Sequence, residues 1–221
     1  MMEKVLLDEY LTSLTPSRDL ILREMEQEAK EDKIPIANPE VAAFLALLVK
    51  IHKSKNILEI GTATGYSTIW MARAAAFAGG KVTTIEMNHI RHRRAREYFQ
   101  RAGLEKNINA LLGDALEILP RLDDRFDFIF IDAAKGQYLG FFAEAYRLLA
   151  PGGILVADNV LFRGFVAAGS KYPRRKRTLI VRLRNFLKLI SKHPNLKTSI
   201  IPLGDGIAVC LKEGKDIFEK A

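Results

Sequence analysis

Between Asn56 and Ala157 five short apolar runs alternate with longer stretches of helical character, and this alternation constrains the fold more than any other feature of the chain. The runs are Asn56–Ile60, Lys81–Ile85, Ile108–Leu112, Phe126–Ile131 and Gly153–Ala157, with helices expected over 66–77, 88–102, 115–122 and 138–149. Continuously apolar strands joined by helices describe a parallel sheet covered on both faces, and right-handed crossovers make it doubly wound. A basic helix over about 178–192 and strands over 196–202 and 206–211 follow, joined at Leu203-Gly204-Asp205-Gly206. That turn marks a closing antiparallel hairpin, uncommon at the end of an α/β sheet. Before residue 52 the spacing of Leu11, Leu14, Leu20, Ile21, Met25 and Ala29 predicts helices, with starts at Thr15-Pro16-Ser17 and Asn38-Pro39-Glu40.

The expected organisation is therefore one α/β domain over 1–221, with a helical part over 1–54 and a Rossmann-like core over 55–221. One cysteine, Cys210, excludes a disulfide framework and any multi-cysteine zinc site. No apolar run approaches the about 20 residues of a membrane span. Met1–Asp8 lacks the apolar stretch of a signal peptide, so the sequence reads as cytoplasmic, with no membrane association.

In such a sheet ligands sit beyond the C-terminal strand ends. The first strand runs into Gly61-Thr62-Ala63-Thr64-Gly65-Tyr66-Ser67. This is not the dinucleotide fingerprint: Ala63 and Tyr66 replace its second and third glycines, and the P-loop lysine is missing as well. A nucleoside cofactor without a phosphate is consistent with that loop. Glu86, after the second strand, can accept ribose hydroxyls, and Gly113-Asp114-Ala115, after the third, can border an adenine. A lone glycine-rich turn is usually only a turn; the acids at the matching strand ends weaken that reading.

These motifs resemble class I S-adenosyl-L-methionine (SAM)-dependent methyltransferases, whose seven-stranded sheet also ends in a hairpin. The resemblance implies that Gly61, Thr62, Gly65, Tyr66 and Ser67 line the cofactor, that Glu86 holds its ribose, and that Gly113, Asp114 and Ala115 border its adenine. It adds Ile36, Met87, Asp132 and Tyr138 to the cofactor-binding set.

The fourth and fifth strands end at Asp132 and at Asp158-Asn159. If the strands are neighbours, two carboxylates and an amide oxygen converge, an all-oxygen set suited to Mg²⁺ or another divalent cation. Each aspartate alone reads equally as a helix cap. Lys135 tips the balance, because a dication and a partly desolvated site lower a lysine pKa and make it a usable base. Asp132-Ala133-Ala134-Lys135 with Asp158-Asn159 resembles the metal-dependent O-methyltransferases of the caffeoyl-CoA and catechol type. That resemblance spans about residue 34 onward and implies ligation by Asp132, Asp158 and Asn159, Lys135 as base and a homodimer.

Charge points to the substrate. The chain carries +8 overall, yet residues 159–204 hold eleven Lys and Arg and no acid, while the remaining 175 residues hold 23 cations against 26 acids. Lys171, Arg174, Arg175, Lys176, Arg177 and Arg182 read as phosphate contacts for RNA, or alternatively as a solvated face. The arginine-rich helix over 88–102 reads as a solvated face. The chain is similar to a bacterial branch that methylates 5-hydroxyuridine in the tRNA anticodon, whose 5-hydroxyl and C4 carbonyl are vicinal oxygens. The expectation is a tRNA 5-hydroxyuridine O-methyltransferase, with Tyr172 or Phe162 as the stacking partner of the flipped base. The alternative is a small-molecule catechol or caffeoyl-CoA-type enzyme, and a third reading is a non-catalytic RNA-binding module.

Overall fold

The five apolar runs are all strands. The computed structural model describes residues 6, 10, 12–16, 18–167, 169 and 171–214. The expectations placed on residues 1–5, 7–8, Leu11 and Ser17 lie outside the described residues. The elements are α1 (Leu20–Glu31), α2 (Pro39–His52), β1 (Asn56–Ile60), α3 (Tyr66–Ala76), β2 (Lys81–Glu86), α4 (His89–Arg101), β3 (Ile108–Leu112), α5 (Ala115–Ile118), β4 (Phe126–Ile131), α6 (Tyr138–Leu148), β5 (Leu149–Ala157), α7 (Arg177–Ser191), β6 (Leu196–Ile201) and β7 (Ile207–Lys212). The seven strands lie in the order β3-β2-β1-β4-β5-β7-β6. β7 runs antiparallel to both β5 and β6, which is the expected terminal hairpin. This is the Rossmann-like, doubly wound α/β architecture. No helix among the described residues is long and apolar enough to cross a membrane.

Three boundaries differ from expectation by more than one residue. α1 starts at Leu20, not after Thr15-Pro16, because the Asp19 carboxylate accepts the Leu22 N–H at 3.0 Å and caps the helix. α5 is a single turn followed by a 3₁₀ turn at Leu119–Arg121, since Pro120 has no N–H to continue the ladder. β5 begins at Leu149, four residues early, pairing with Phe126 before a register shift.

The chain forms two compact units, residues 1–55 with 61–113, and residues 56–60 with 114–221. In the first, β2 and β3 pair in parallel. Leu22, Met25 and Ala29 of α1, Val41 and Leu45 of α2, and Tyr98 and Phe99 of α4 are buried. Acids on α1 and its cap residue meet cations from α3 and α4. Glu24 binds Arg101 in bidentate fashion, Glu28 pairs with Arg94 at 2.6 Å and with the Tyr98 hydroxyl, and Asp19 meets Arg73. The α4 arginines are therefore not all a solvated face; two of them hold α1.

In the second unit β1, β4 and β5 pair in parallel, with Ile60 opposite Ile131 and Ile131 opposite Ala157. Phe128, Phe130, Leu155 and Val156 are fully buried. On α7, Ile180, Leu183, Phe186 and Ile190 form one buried stripe at helical spacing. Arg184 hydrogen-bonds three successive backbone carbonyls, those of Phe165, Val166 and Ala167, and lies 5.7 Å over the Tyr172 ring.

Candidate active site

The cofactor-type loop belongs to the first unit. Gly61 (φ 104°) and Gly65 (φ 90°) take left-handed backbone, where a side chain is strained. A Cβ on Gly65 would lie 2.4 Å from Phe99 Cε1, so only glycine fits there. The Gly61 and Thr62 amides both donate to the Ile85 carbonyl, at 3.0 and 3.2 Å. Thr62 and Thr84 hydroxyls meet at 2.6 Å. Glu86 is buried, and each carboxylate oxygen takes one backbone N–H: Oε2 from Ala63 at 2.8 Å and Oε1 from Asn88 at 2.9 Å. Each oxygen keeps a lone pair for a ribose hydroxyl. Thr64 Oγ1 is buried and has no hydrogen-bond partner. An orphaned hydroxyl and a half-satisfied carboxylate fit a polar ligand at this loop.

The other residues expected here fall out as follows. Ser67 is buried at the start of α3. Tyr66 is buried too, but its hydroxyl donates to Glu26 at 2.6 Å, so its polar end serves α1. Met87 is 72% exposed, free to cover a ligand, and Ile36 is half-buried. Gly113 donates to the Glu86 carbonyl at 2.9 Å.

The second unit carries Asp114, whose carboxylate caps α5 through the Leu116 N–H at 2.8 Å, with Ala115 buried beside it. It also carries the whole candidate metal set. Asp132 and Asp158 follow paired positions at the ends of β4 and β5, and the Asp158 amide donates to Ile131 at 3.0 Å. Asn159 takes left-handed backbone (φ 53°), a conformation asparagine tolerates. In that turn the Asn159 backbone N–H donates to Asp158 Oδ1. Lys135 Nζ donates to Asn159 Oδ1 at 2.8 Å. The buried Tyr138 hydroxyl donates to the Asp158 backbone carbonyl at 2.8 Å, so Tyr138 braces this strand end.

Burial, followed by the Asp132 charge, raises Asp158 to about 7, against the pull of the Asn159 N–H and Lys135. Burial raises Asp132 as well, with Lys135 opposing. Two desolvated carboxylates that share the influence of one lysine make a site that favours added positive charge. No three His, Cys, Asp or Glu side chains gather as a metal-binding group among the described residues; the third oxygen donor is the Asn159 amide. Two carboxylates and an amide fit a hard dication.

Residues 13–213 match the family described as O-methyltransferase. The chain belongs to the O-methyltransferase family. It is 39% identical over 165 residues to a catechol O-methyltransferase of Niastella koreensis, covering 72% of this chain and 74% of that protein. It is 31% identical over 212 residues to caffeoyl-CoA O-methyltransferase 2 of Populus trichocarpa, covering 90% and 84%. The crystal structure of the O-methyltransferase from Bacillus cereus in complex with SAH superposes with a TM-score of 0.85 at 32% identity, covering 96% of this chain and all of that one. This O-methyltransferase is thus a SAM-dependent enzyme of the caffeoyl-CoA and catechol type.

Sequence reasoning missed several residues of this O-methyltransferase. Glu59 is a fully buried acid inside an apolar strand, a mismatch visible in the sequence. The Ala63 amide, the Thr64 hydroxyl and the contact from Arg182 to the Gly136 carbonyl at 3.0 Å left no sequence signal. Arg182, expected to contact RNA, donates from its guanidinium to the Gly136 carbonyl in the turn that carries Lys135.

Proposed function

We propose that this enzyme methylates one hydroxyl of a small aromatic acceptor bearing two vicinal oxygens, of the catechol or caffeoyl-CoA type. The observation that carries this reading is the single cluster of Asp132, Asp158, Asn159 and Lys135, with Lys135 Nζ 2.8 Å from Asn159 Oδ1. Catechol and caffeoyl-CoA relatives support the acceptor class.

Asp132, Asp158 and Asn159 would hold a divalent cation such as Mg²⁺. When bound, that ion supplies charge that acidifies a coordinated hydroxyl and offsets the two carboxylates. In its neutral amine form, Lys135 would receive the acceptor proton at Nζ. The acceptor oxygen then forms its bond to the methyl carbon as the carbon–sulfur bond of SAM breaks, and SAH leaves. Glu86 orients the ribose of SAM, and the Gly61–Gly65 backbone admits the cofactor closely. Tyr138 keeps the Asp158 strand end in place through its hydroxyl. The test is turnover of 3,4-dihydroxybenzoic acid with labelled SAM by the native protein and by Lys135→Ala. Methyl transfer that Lys135→Ala abolishes supports the reading; equal turnover by both removes Lys135 as base.

A second reading, tRNA 5-hydroxyuridine as acceptor, has one observation in its favour. Lys171, Arg174, Arg175 and Arg177 are exposed and make no ion pair among the described residues. Lys176 leans over the Phe162 ring at 5.7 Å. Such cations bind phosphates in a salt-sensitive way. Incubation with unmodified total tRNA, followed by nucleoside mass spectrometry, decides it. 5-Methoxyuridine that vanishes when Arg174, Arg175, Lys176 and Arg177 are neutralised supports RNA, and its absence with the native protein excludes it.

A further inference from the structure

We propose that Arg182 is a positioning residue for Lys135, holding from α7 the turn on which the base stands. The inference rests on the proposed role of Lys135. Lys135, Gly136 and Gln137 form a single 3₁₀ turn between β4 and α6. Within it the Gln137 N–H donates to the Ala134 carbonyl at 2.8 Å. One turn with one internal bond is weakly self-supporting. The lysine stem is long and flexible, so its placement depends on the backbone beneath it.

α7 supplies the support at two points four residues apart, hence on neighbouring positions of one helix side. Arg182 Nη1 donates to the Gly136 carbonyl at 3.0 Å. Phe186 is fully buried and meets the Tyr138 ring edge-on, with centroids 5.4 Å apart. Tyr138 in turn reaches the Asp158 carbonyl. The two contacts bracket the turn, one at its middle residue and one just beyond its end. Arg182 has no carboxylate partner among the described residues, so its guanidinium is not held by an ion pair. Gly136 suits the contact: a Cβ there would already lie 3.4 Å from Arg182 Nη1.

Phe186 acts through packing, and its removal would disturb the core. Arg182 is exposed, so its loss leaves the fold intact and loosens only the turn. A displaced base is costly because proton transfer requires hydrogen-bond distance.

The experiment uses the full-length protein and the variants Arg182→Met, Arg182→Lys and Lys135→Ala. Two measurements are made: steady-state methylation of 3,4-dihydroxybenzoic acid, and hydrogen exchange of the amides of residues 133–139. For Arg182→Met, kcat falls about three- to tenfold while KM for SAM stays unchanged, and the Gln137 amide exchanges faster. Arg182→Lys, which keeps one donor, restores most of kcat and slows that exchange again. Unchanged exchange at Gln137, or unchanged kcat with only the acceptor KM raised, overturns the proposal and makes Arg182 an acceptor contact. Activity surviving in Lys135→Ala refutes the base assignment instead. If native protein does not turn over the catechol, the exchange comparison alone decides whether Arg182 holds the turn.

Discussion

Ala63 gives its backbone N–H to Glu86 Oε2 at 2.8 Å, and it does so from left-handed backbone at φ 47°. The loop and the acid after the next strand are therefore one assembly: the carboxylate shapes the loop before any ligand arrives. Glu86→Gln turns one of two acceptor oxygens into an NH₂ facing an amide donor. SAH affinity is expected to fall about ten- to hundredfold in a calorimetric titration, the range for losing hydrogen bonds to a charged group. Affinity equal to the native protein's would remove Glu86 from the cofactor site.

Gly65 is closed to any side chain by Phe99. Gly65→Ala combines a 2.4 Å approach to Phe99 Cε1 with positive φ, and is expected to destabilise by about 2–4 kcal/mol in denaturant unfolding. Pairing it with Phe99→Leu recovers part of the loss, because the steric share is relieved and the backbone share is not. Additive losses in the double variant would show that the two residues do not meet.

Tyr66 separates cofactor contact from scaffold. Its hydroxyl is bound to Glu26, and burial with that carboxylate beside it raises the phenol pKa well above the usual range. Tyr66→Phe is expected to cost about 1–3 kcal/mol of stability and leave SAH affinity near the native value. A large loss of affinity at unchanged stability would place the hydroxyl on the cofactor after all.

Asp158 makes the ion-free protein less stable as pH rises. Its folded pKa, about 7, exceeds the ordinary 3.8, so the native state binds more protons between those values. This group's contribution is most favourable below about pH 4. It declines by at most about 1.4 kcal/mol per pH unit up to 7, and then levels off. Asp158→Asn is expected to flatten that decline and to raise the melting temperature at pH 8 in the presence of chelator. Mg²⁺ or Mn²⁺ affinity of the native protein rises over the same window, as both carboxylates ionise. A native melting temperature in chelator that climbs from pH 5 to 8 at the same slope in both proteins would contradict the assignment.

The parts legible in the sequence were those written in local pattern. Apolar runs located the strands, and the residue after each run named the candidate site, whose two aspartates parallel register sets level, with Ile131 opposite Ala157. Cap chemistry was legible in kind but not in place: Asp19 outcompeted Thr15 because only its carboxylate meets the Leu22 N–H. Side-chain partners far apart in the chain were not legible. Nothing in the sequence joins Tyr66 to Glu26, Arg101 to Glu24 or Arg182 to Gly136. Counting cations over 159–204 overstates the number of freely projecting side chains for the same reason, since Arg184 and Arg182 hydrogen-bond backbone carbonyls, though both keep their charge.

The grip of Arg184 on the carbonyls of Phe165, Val166 and Ala167 involves main-chain atoms only on the loop side. Across the same stretch, the Asp205 carboxylate takes the Arg163 N–H and the Asp205 carbonyl takes the Leu161 N–H. A segment moored largely by its backbone depends less on the side chains it displays, although Phe162 and Phe165 still meet edge-on. Exposed positions in this stretch can therefore change while the anchoring by Arg184 and Asp205, made to main-chain atoms, stays as it is.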